Sequence, residues 1–261
     1  MTQSDLTVAA LPIDIAFADR ESNLAAARSM ARELKAPAHI LVLPELFSTG
    51  YVNDPEAMHQ LAEDNSGPTM QAVRAIAAEH SCAVAGSFVA RDNDRVCNRA
   101  FLVGPDGTLL ARYDKRHLFS MSRETEVFSP GSQEIPIAAF RGWNVALAVC
   151  YDLRFPAWLR NRDYAYDIML LPANWPQSRA YAFEHLLIAR AIENQAPIVG
   201  ANRGGSDLYG TYDGCTYAFD HMGHPALLPH STTATFSLEA LRQARSRFPA
   251  ARDADHFTFN H

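Results

Sequence analysis

Arg141-Gly-Trp-Asn-Val-Ala-Leu-Ala-Val-Cys-Tyr-Asp-Leu-Arg-Phe-Pro156 carries the clearest fold signal in the chain. Within it, Val145 to Val149 is a continuous apolar, partly β-branched run, the pattern of a strand buried on both faces. Cys150 ends the run, polar residues follow at once, and Pro156 stands where a short helix can begin, so a helix is predicted near 156–161. A thiol at the carboxyl end of a buried strand lies where open α/β sheets bind ligands. Taken by itself, Cys150 reads equally well as a small buried hydrophobe.

Working outward, the same plan recurs. A first strand lies within 7–17, and further strands are predicted over 40–43, 83–89, 167–171 and 197–200. Asp19, Glu21 and Ser22 supply the start of a helix that Pro37 ends, and a second helix covers about 68–79. A third, about 178–194, turns Phe183, Leu187, Ile188, Ala191 and Ile192 inward. Gly104-Pro-Asp-Gly107 is a turn signal between 100–103 and 108–113, and a second hairpin is predicted from 215–220 and 225–230 around Gly223. Residues 116–133 are polar and irregular and read as a functional surface loop. The chain thus reads as one β-α-β-α-β-hairpin plan used twice. No Pro/Gly/Ser-rich linker separates the halves, so one domain over 1–261 is expected. Its C-terminal tail, 238–261, is read as a short helix and an aromatic end (Phe248, Phe257, Phe259) that docks on a neighbouring subunit.

Composition narrows the function classes. The 261 residues carry 23 Lys and Arg against 29 Asp and Glu, a net charge of −6 with no basic block. Nucleic-acid binding needs clustered cations, and an anionic membrane surface attracts the same, so neither partner is expected. The N-terminus lacks the basic start and apolar core of a secretory signal, and no apolar run approaches the ~20 residues that span a bilayer. The four cysteines, Cys82, Cys97, Cys150 and Cys215, are scattered without a C-x-x-C pair. A cytoplasmic setting without disulfides or a structural metal is therefore expected. His221 and His224 read as turn residues, not ligands.

Three residues occupy matching places. Glu45 follows one apolar strand, Lys115 follows the hairpin, and Cys150 follows another apolar strand. Each alone has a plain reading, as an exposed loop charge, part of a solvated charge run and a core thiol. Together they suit nucleophilic chemistry. A thiolate attacks, a nearby cation stabilises it, and a carboxylate takes the thiol proton and returns it to a leaving amine. An ammonium also holds the oxyanion of a tetrahedral intermediate. Other designs fit less well, because no Gly-x-Ser-x-Gly elbow, phosphate-binding loop or dinucleotide fingerprint is present.

Leu43-Pro-Glu45, Tyr113-Asp-Lys-Arg-His-Leu-Phe119 and Val149-Cys-Tyr-Asp-Leu-Arg-Phe-Pro156 resemble the three signature blocks of the nitrilase superfamily of carbon–nitrogen hydrolases. Pro172-Ala-Asn-Trp175 and Ala191-Ile-Glu-Asn-Gln195 resemble its later segments. The resemblance runs from about residue 7 to 235. It implies an α/β fold of the four-layer αββα sandwich type, paired subunits, and a Glu45–Lys115–Cys150 triad with no metal or organic cofactor. By the same resemblance Glu124, spaced before Ser129-Pro-Gly131, helps orient the triad or the attacking water, and the Tyr151 N–H is a second oxyanion donor.

Within the superfamily the chain is most similar to the ω-amidase branch, which removes the terminal amide of short 2-oxo dicarboxylic acid monoamides. Asn202-Arg-Gly-Gly-Ser-Asp207 and Ala173-Asn-Trp-Pro176 add to that resemblance. Asp213-Gly-Cys-Thr216 departs from it, standing where relatives often carry Gly-x-Ser. Such an enzyme binds a small-molecule amide with a distal carboxylate; Tyr51, Arg154 and Arg203 are the candidates to hold that carboxylate, with Trp175 forming a wall. The alternatives are another hydrolase of the superfamily (an aliphatic amidase, carbamoylase or nitrilase) or a non-catalytic or redox-sensing thiol protein on the same fold.

Overall fold

The computed structural model describes residues 5–52, 54–227 and 230–259. The chain opens with β1 (Asp5–Ala10), α1 (Arg20–Arg32), β2 (Ile40–Val42), α2 (Pro55–Leu61) and α3 (Pro68–His80). It continues through β3 (Ala83–Asp92), β4 (Arg95–Val103), β5 (Leu109–Asp114), the one-turn α4 (Glu124–Val127), β6 (Ile137–Phe140) and β7 (Trp143–Leu147). After β7 come β8 (Ile168–Ala173), α5 (Ala180–Asn194), β9 (Ile198–Asn202), β10 (Gly204–Asp207), β11 (Gly210–Asp213), β12 (Tyr217–Phe219), β13 (Thr233–Ser237) and α6 (Leu238–Arg247).

Helix starts follow local chemistry. The Asp19 carboxylate accepts the Ser22 N–H at 3.1 Å, and Asp54 accepts the Ala57 N–H at 2.8 Å ahead of Pro55. Both satisfy donors that the first helical turn leaves open. Ser81 and Gln195 close α3 and α5 in the left-handed conformation, with φ of 50° and 45°.

Among the described residues the strands form two main sheets, in the orders β13-β1-β2-β3-β4-β5 and β12-β9-β8-β7-β6. Three parallel strands sit at the heart of each, β1-β2-β3 in one and β7-β8-β9 in the other, with antiparallel strands outside them. The sheets face one another. Leu6, Val8, Ile40, Val42 and Leu102 of the first pack against Trp143, Val145, Leu147, Ile168 and Leu170 of the second, every one fully buried. Outside the first sheet, Ala27 and Ala31 of α1 and Met70, Val73 and Ile76 of α3 pack on Leu41, Val84 and Val103. Outside the second, Phe183, Leu187 and Ala191 of α5 pack on Met169, Leu171 and Ile198. The result is a four-layer αββα sandwich. The alternation of Val, Leu and Ile between inner and outer faces explains why the parallel strands read as continuous apolar runs.

Several expectations are corrected. Residues 156–161 are not a helix; Cys150–Arg154 form a 3₁₀ turn, and irregular turns follow. Pro156 keeps Phe155 out of the helical region (φ −113°, ψ 85°). The Asn161 side chain then bonds the backbone of Tyr166 and Asn194, fixing a turn. On α5, Ile192 is about half exposed, and Arg190 and Asn194 hold the inward places instead. There Arg190 Nε donates to the Leu153 carbonyl, and Asn194 Oδ1 accepts the Asn161 N–H.

The turn at Gly223 exists (φ 80°), with Asp220 N–H donating to His224 O at 2.9 Å and Ala226 N–H to Ala218 O at 2.8 Å. Among the described residues a single bridge, Phe219 to Pro225, pairs its two sides, and Leu228 and Pro229 of the expected second strand lie outside them. His221 and His224 stand on this turn. Elements not foreseen are α2, α4, β6, the β10–β11 hairpin and β13, which crosses back to pair with β1 at the edge of the first sheet. In the tail, Phe259 packs on Trp158 of its own chain (ring centroids 4.9 Å apart) and Phe257 packs on Phe259, whereas Phe248 is exposed. Among the described residues no helix is long and apolar enough to cross a membrane.

Candidate active site

The site lies at the carboxyl ends of β2, β7 and β8, where the strand exits of a parallel sheet gather side chains. Glu45 follows β2, Cys150 follows β7, Asn174 follows β8, and Lys115 follows β5. Each exit is tied down. The Glu45 N–H donates to Ala173 O of the opposite sheet at 3.2 Å, and the Leu46 N–H donates to Ser87 Oγ at 2.9 Å. The Lys115 N–H donates to Asn98 O, and its own carbonyl accepts the Gly131 N–H, both at 2.9 Å.

The four charged or nucleophilic groups are nearly sealed from solvent, with Glu45 2%, Lys115 1%, Glu124 8% and Cys150 7% exposed. Lys115 Nζ lies 2.8 Å from Glu45 Oε1 and 3.0 and 2.9 Å from the two Glu124 oxygens. Asn98 Nδ2 donates to Glu45 Oε1 at 2.7 Å, and the Asn174 N–H donates to Glu45 Oε2 at 3.1 Å. The Phe119 N–H donates to Glu124 Oε2 at 2.9 Å. Two carboxylates thus share one ammonium, with neutral donors on the remaining oxygens, which is the condition for keeping charges in a protein interior.

Burial alone would pull the Lys115 pKa down, but the charges of Glu124 and Glu45 outweigh it and hold the ammonium well above its ordinary range. Burial pushes the Glu124 carboxyl up, Lys115 opposes this, and Glu45 adds to it. Burial, reinforced by the Glu45 charge, pushes the Cys150 thiol well above 9, with Lys115 pulling the other way. The resting Cys150 is therefore a protonated thiol beside a carboxylate, and a thiol in that state becomes a strong nucleophile only once a base takes its proton.

Cys150 itself sits in the left-handed region, φ 42°. That conformation costs a non-glycine residue about 1–3 kcal/mol and persists only where surroundings over-determine it. Asp152, fully buried, supplies the constraint. Its carboxylate accepts the Val149 N–H (3.1 Å), the Tyr113 hydroxyl (3.0 Å), the His117 N–H (3.1 Å) and the His117 Nδ1–H (2.8 Å). Tyr113 OH in turn accepts the Trp158 Nε1–H at 2.9 Å, and His117 stacks on Phe155 at 3.7 Å. The Cys150 elbow and the Lys115 exit are thereby joined through one carboxylate. Cys150 and Tyr151 are also the first residues of the 3₁₀ turn, whose leading N–H groups have no acceptor inside the turn.

A cavity of about 500 Å³ opens above these groups. Glu45, Lys115, Glu124, Cys150, Tyr151, Tyr51, Arg154 and Trp175 all line it, so eight of the nine residues singled out in the sequence converge. Arg203 does not. It is fully buried, with its guanidinium spent on Asp207 Oδ2 (2.7 Å), Ile15 O (2.8 Å) and Gly204 O (2.9 Å) and packed over Tyr212 (4.2 Å). It braces the β10–β11 hairpin and is not among the residues that line the cavity.

Tyr51 lines the wall and packs against Tyr209, and burial pushes its pKa up to about 12. Arg154 stacks over Trp175 at 5.0 Å. Sequence reading missed Asn98, Asn174, Arg179, Tyr209 and Tyr212. Asn174 alone carried a signal, in the Pro172-Ala-Asn-Trp175 block. Both polar atoms of its side chain are buried without a hydrogen bond among the described residues.

The carbon–nitrogen hydrolase family model matches residues 7–246. The omega-amidase YafV of Yersinia enterocolitica is 41% identical over 227 residues, covering 84% of this chain and 85% of that protein. The 2-oxoglutaramate amidase of Bacillus subtilis is 31% identical over 219 residues, 83% of each. Among solved structures, a CN-hydrolase superfamily protein from Xanthomonas campestris with an arsenic adduct in its active site superposes with a TM-score of 0.91 at 35% identity, covering 98% of this chain and 99% of that one. A variant of the amidase from Nesterenkonia sp. AN1, in which acrylamide has added to the active-site cysteine, gives 0.79 at 25% identity, covering 94% and 98%. The chain belongs to the carbon–nitrogen hydrolase family and is a hydrolase of carbon–nitrogen bonds other than peptide bonds.

Proposed function

We propose that the chain is an ω-amidase, removing the terminal amide of a short 2-oxo dicarboxylic acid monoamide such as 2-oxosuccinamate or 2-oxoglutaramate as ammonia. The observation that carries the reading is Lys115 in contact with both Glu45 and Glu124 at the floor of a cavity that Cys150 also lines. The relatives named as ω-amidase and 2-oxoglutaramate amidase support the substrate class.

In this reading Glu45 takes the Cys150 proton as the sulfur attacks the amide carbonyl carbon. The new C–S bond leaves an oxyanion, held by the Lys115 ammonium and the Tyr151 N–H. Protonated Glu45 gives its proton to the departing nitrogen, the C–N bond breaks, and ammonia leaves a thioester. Glu45 then takes a proton from water as that water attacks. The C–S bond breaks, the Glu45 proton returns to the sulfur, and the acid product gives its remaining proton to solvent and leaves as the carboxylate. Glu124, bonded through both oxygens to Lys115, keeps the ammonium aimed while Glu45 changes charge. Preorganised donors of this kind are worth ~100- to 1,000-fold in rate each.

Arg154 on the cavity wall takes the substrate's distal carboxylate, with Trp175 as its platform and Tyr51 closing the opposite side. Steady-state kinetics on 2-oxosuccinamate against butyramide, a neutral amide of equal length, test the substrate class. A large preference for the anion in kcat/KM is expected. Equal efficiency on both contradicts a carboxylate site.

A further inference from the structure

Two arginines, not one, line the cavity. Arg179 ends the 3₁₀ turn Gln177–Arg179 at the start of α5, and its guanidinium lies over the Phe119 ring at 5.3 Å, as that of Arg154 lies over Trp175 at 5.0 Å. Neither makes an ion pair among the described residues. An arginine stacked on a ring keeps its in-plane N–H groups open while the ring fixes the plane, the arrangement that grips a planar carboxylate through two oxygens.

Both platforms lead back to the reacting groups. Trp175 carries Arg154 on its face, and its indole N–H donates to the Arg179 carbonyl at 2.9 Å, so one side chain positions both arginines. Phe119, under Arg179, donates its N–H to Glu124 at 2.9 Å, beside Lys115.

The charge balance points the same way. The charged residues lining the cavity are Glu45, Glu124, Lys115, Arg154 and Arg179. The two carboxylates are bound to the one ammonium at the buried floor, which leaves the two guanidinium groups as the unneutralised charges at the exposed mouth. The chain as a whole carries −6. A positive mouth on an acidic surface draws anionic ligands in and leaves neutral ones unaided.

We propose that Arg179 is the second arm of a two-arginine clamp that, with Arg154, binds the carboxylate of the 2-oxo acid and so selects anionic amides over neutral ones. The clamp rests on the amidase reading above and names the residue that sets its specificity, in the place where sequence alone put Arg203. Arg179 touches substrate away from the scissile bond, so its loss acts on binding more than on chemistry.

The test compares wild type, Arg179→Ala, Arg179→Lys and Arg154→Ala on 2-oxosuccinamate and butyramide, with melting temperatures measured alongside. Losing one charge-assisted pair corresponds to about 10- to 100-fold in affinity. Arg179→Ala is therefore expected to raise KM for 2-oxosuccinamate by about that factor, with kcat changed only a few-fold and KM for butyramide unmoved. Arg179→Lys, which keeps the charge and loses the fork, should fall between. Calorimetric binding of 2-oxosuccinamate to Cys150→Ala, with and without Arg179→Ala, reads the same loss with no turnover involved.

If wild type prefers the anion and Arg179→Ala keeps that preference, the clamp is wrong and the amidase reading stands. An equal rise in KM for both amides makes Arg179 merely structural and also overturns the clamp. If wild type shows no preference for the anion, the substrate class falls first and the clamp with it.

Discussion

Lys115 Nζ lies 2.8 Å from Glu45 Oε1 and within 3.0 Å of both Glu124 oxygens, so one buried ammonium neutralises two buried carboxylates. The same contact makes Lys115 both a structural and a chemical group. Its substitution should therefore show in two measurements that respond differently to pH.

Lys115→Met leaves Glu45 and Glu124 buried and facing each other. Breaking a buried pair from one side costs about 3–5 kcal/mol. Burial already raises the Glu124 pKa, and loss of the ammonium raises it further. An acid whose folded pKa exceeds its unfolded one favours the folded state at low pH, and that contribution fades as pH rises through the folded value. Urea denaturation should show the variant's deficit shrinking from pH 8 to pH 5. A deficit independent of pH contradicts the shared-ammonium account. Turnover should fall at least 100-fold.

Glu45→Gln separates two effects of one carboxylate. The base is lost, so kcat/KM should fall about 100- to 10,000-fold. The negative charge that helps hold the Cys150 proton is lost too, so the thiol pKa should move down from well above 9. Iodoacetamide alkylation followed against pH reads this. A thiol pKa that stays put or rises shows that the Glu45 charge does not reach the sulfur.

Asp152 is expected to act as a brace. Tyr113→Phe removes the hydroxyl that donates to Asp152 and accepts from Trp158 and from the Arg116 N–H, at 3.0, 2.9 and 3.2 Å. Leaving a buried group unpaired costs about 1–3 kcal/mol. The variant should lose that much stability and lower kcat more than it raises KM, because the Cys150 elbow loosens. Unchanged stability and kcat would remove the brace.

Gly131 is required by close approach, not by backbone conformation. A Cβ there would stand 1.9 Å from the Asp114 carbonyl oxygen, next to the bond from the Gly131 N–H to Lys115 O. Gly131→Ala should displace the strand exit carrying Lys115 and cut activity at least 10-fold. Near-normal activity and melting temperature would show that the loop yields freely.

Arg203→Met should lower stability by about 3–5 kcal/mol, since it strands the fully buried Asp207 side chain, and leave KM nearly unchanged in the protein that remains folded. A selective rise in KM for an anionic amide would return Arg203 to the binding site.

The strand exits bearing Glu45, Lys115 and Cys150 were legible because each follows an apolar run or a turn signal, which local pattern alone reveals. The αββα layering came from resemblance, as periodicity shows a repeated plan but not which faces meet. Arg203 was misplaced because its fate depends on Ile15, 188 positions away in sequence, and on a hairpin of Gly204, Gly205 and Gly210 with little apolar alternation. Arg179 carries no local signal for the converse reason. Nothing in Gln177-Ser-Arg179 sets it apart until Trp175 and Phe119 are brought to either side. Spacing places Ile192 in the core, yet Arg190 and Asn194 fill the inward face of α5 because each finds a buried hydrogen bond there.

The central claim is that Cys150 forms a thioester with the substrate's acyl group. Rapid-quench mass spectrometry of the wild-type protein turning over 2-oxosuccinamate measures it directly. The account predicts a transient mass increase equal to the acyl group, minus the thiol hydrogen, located by peptide mapping on Cys150 and absent from Cys150→Ala, which should be folded and almost inactive. An adduct on another residue, or substantial amidase activity in Cys150→Ala, would contradict it.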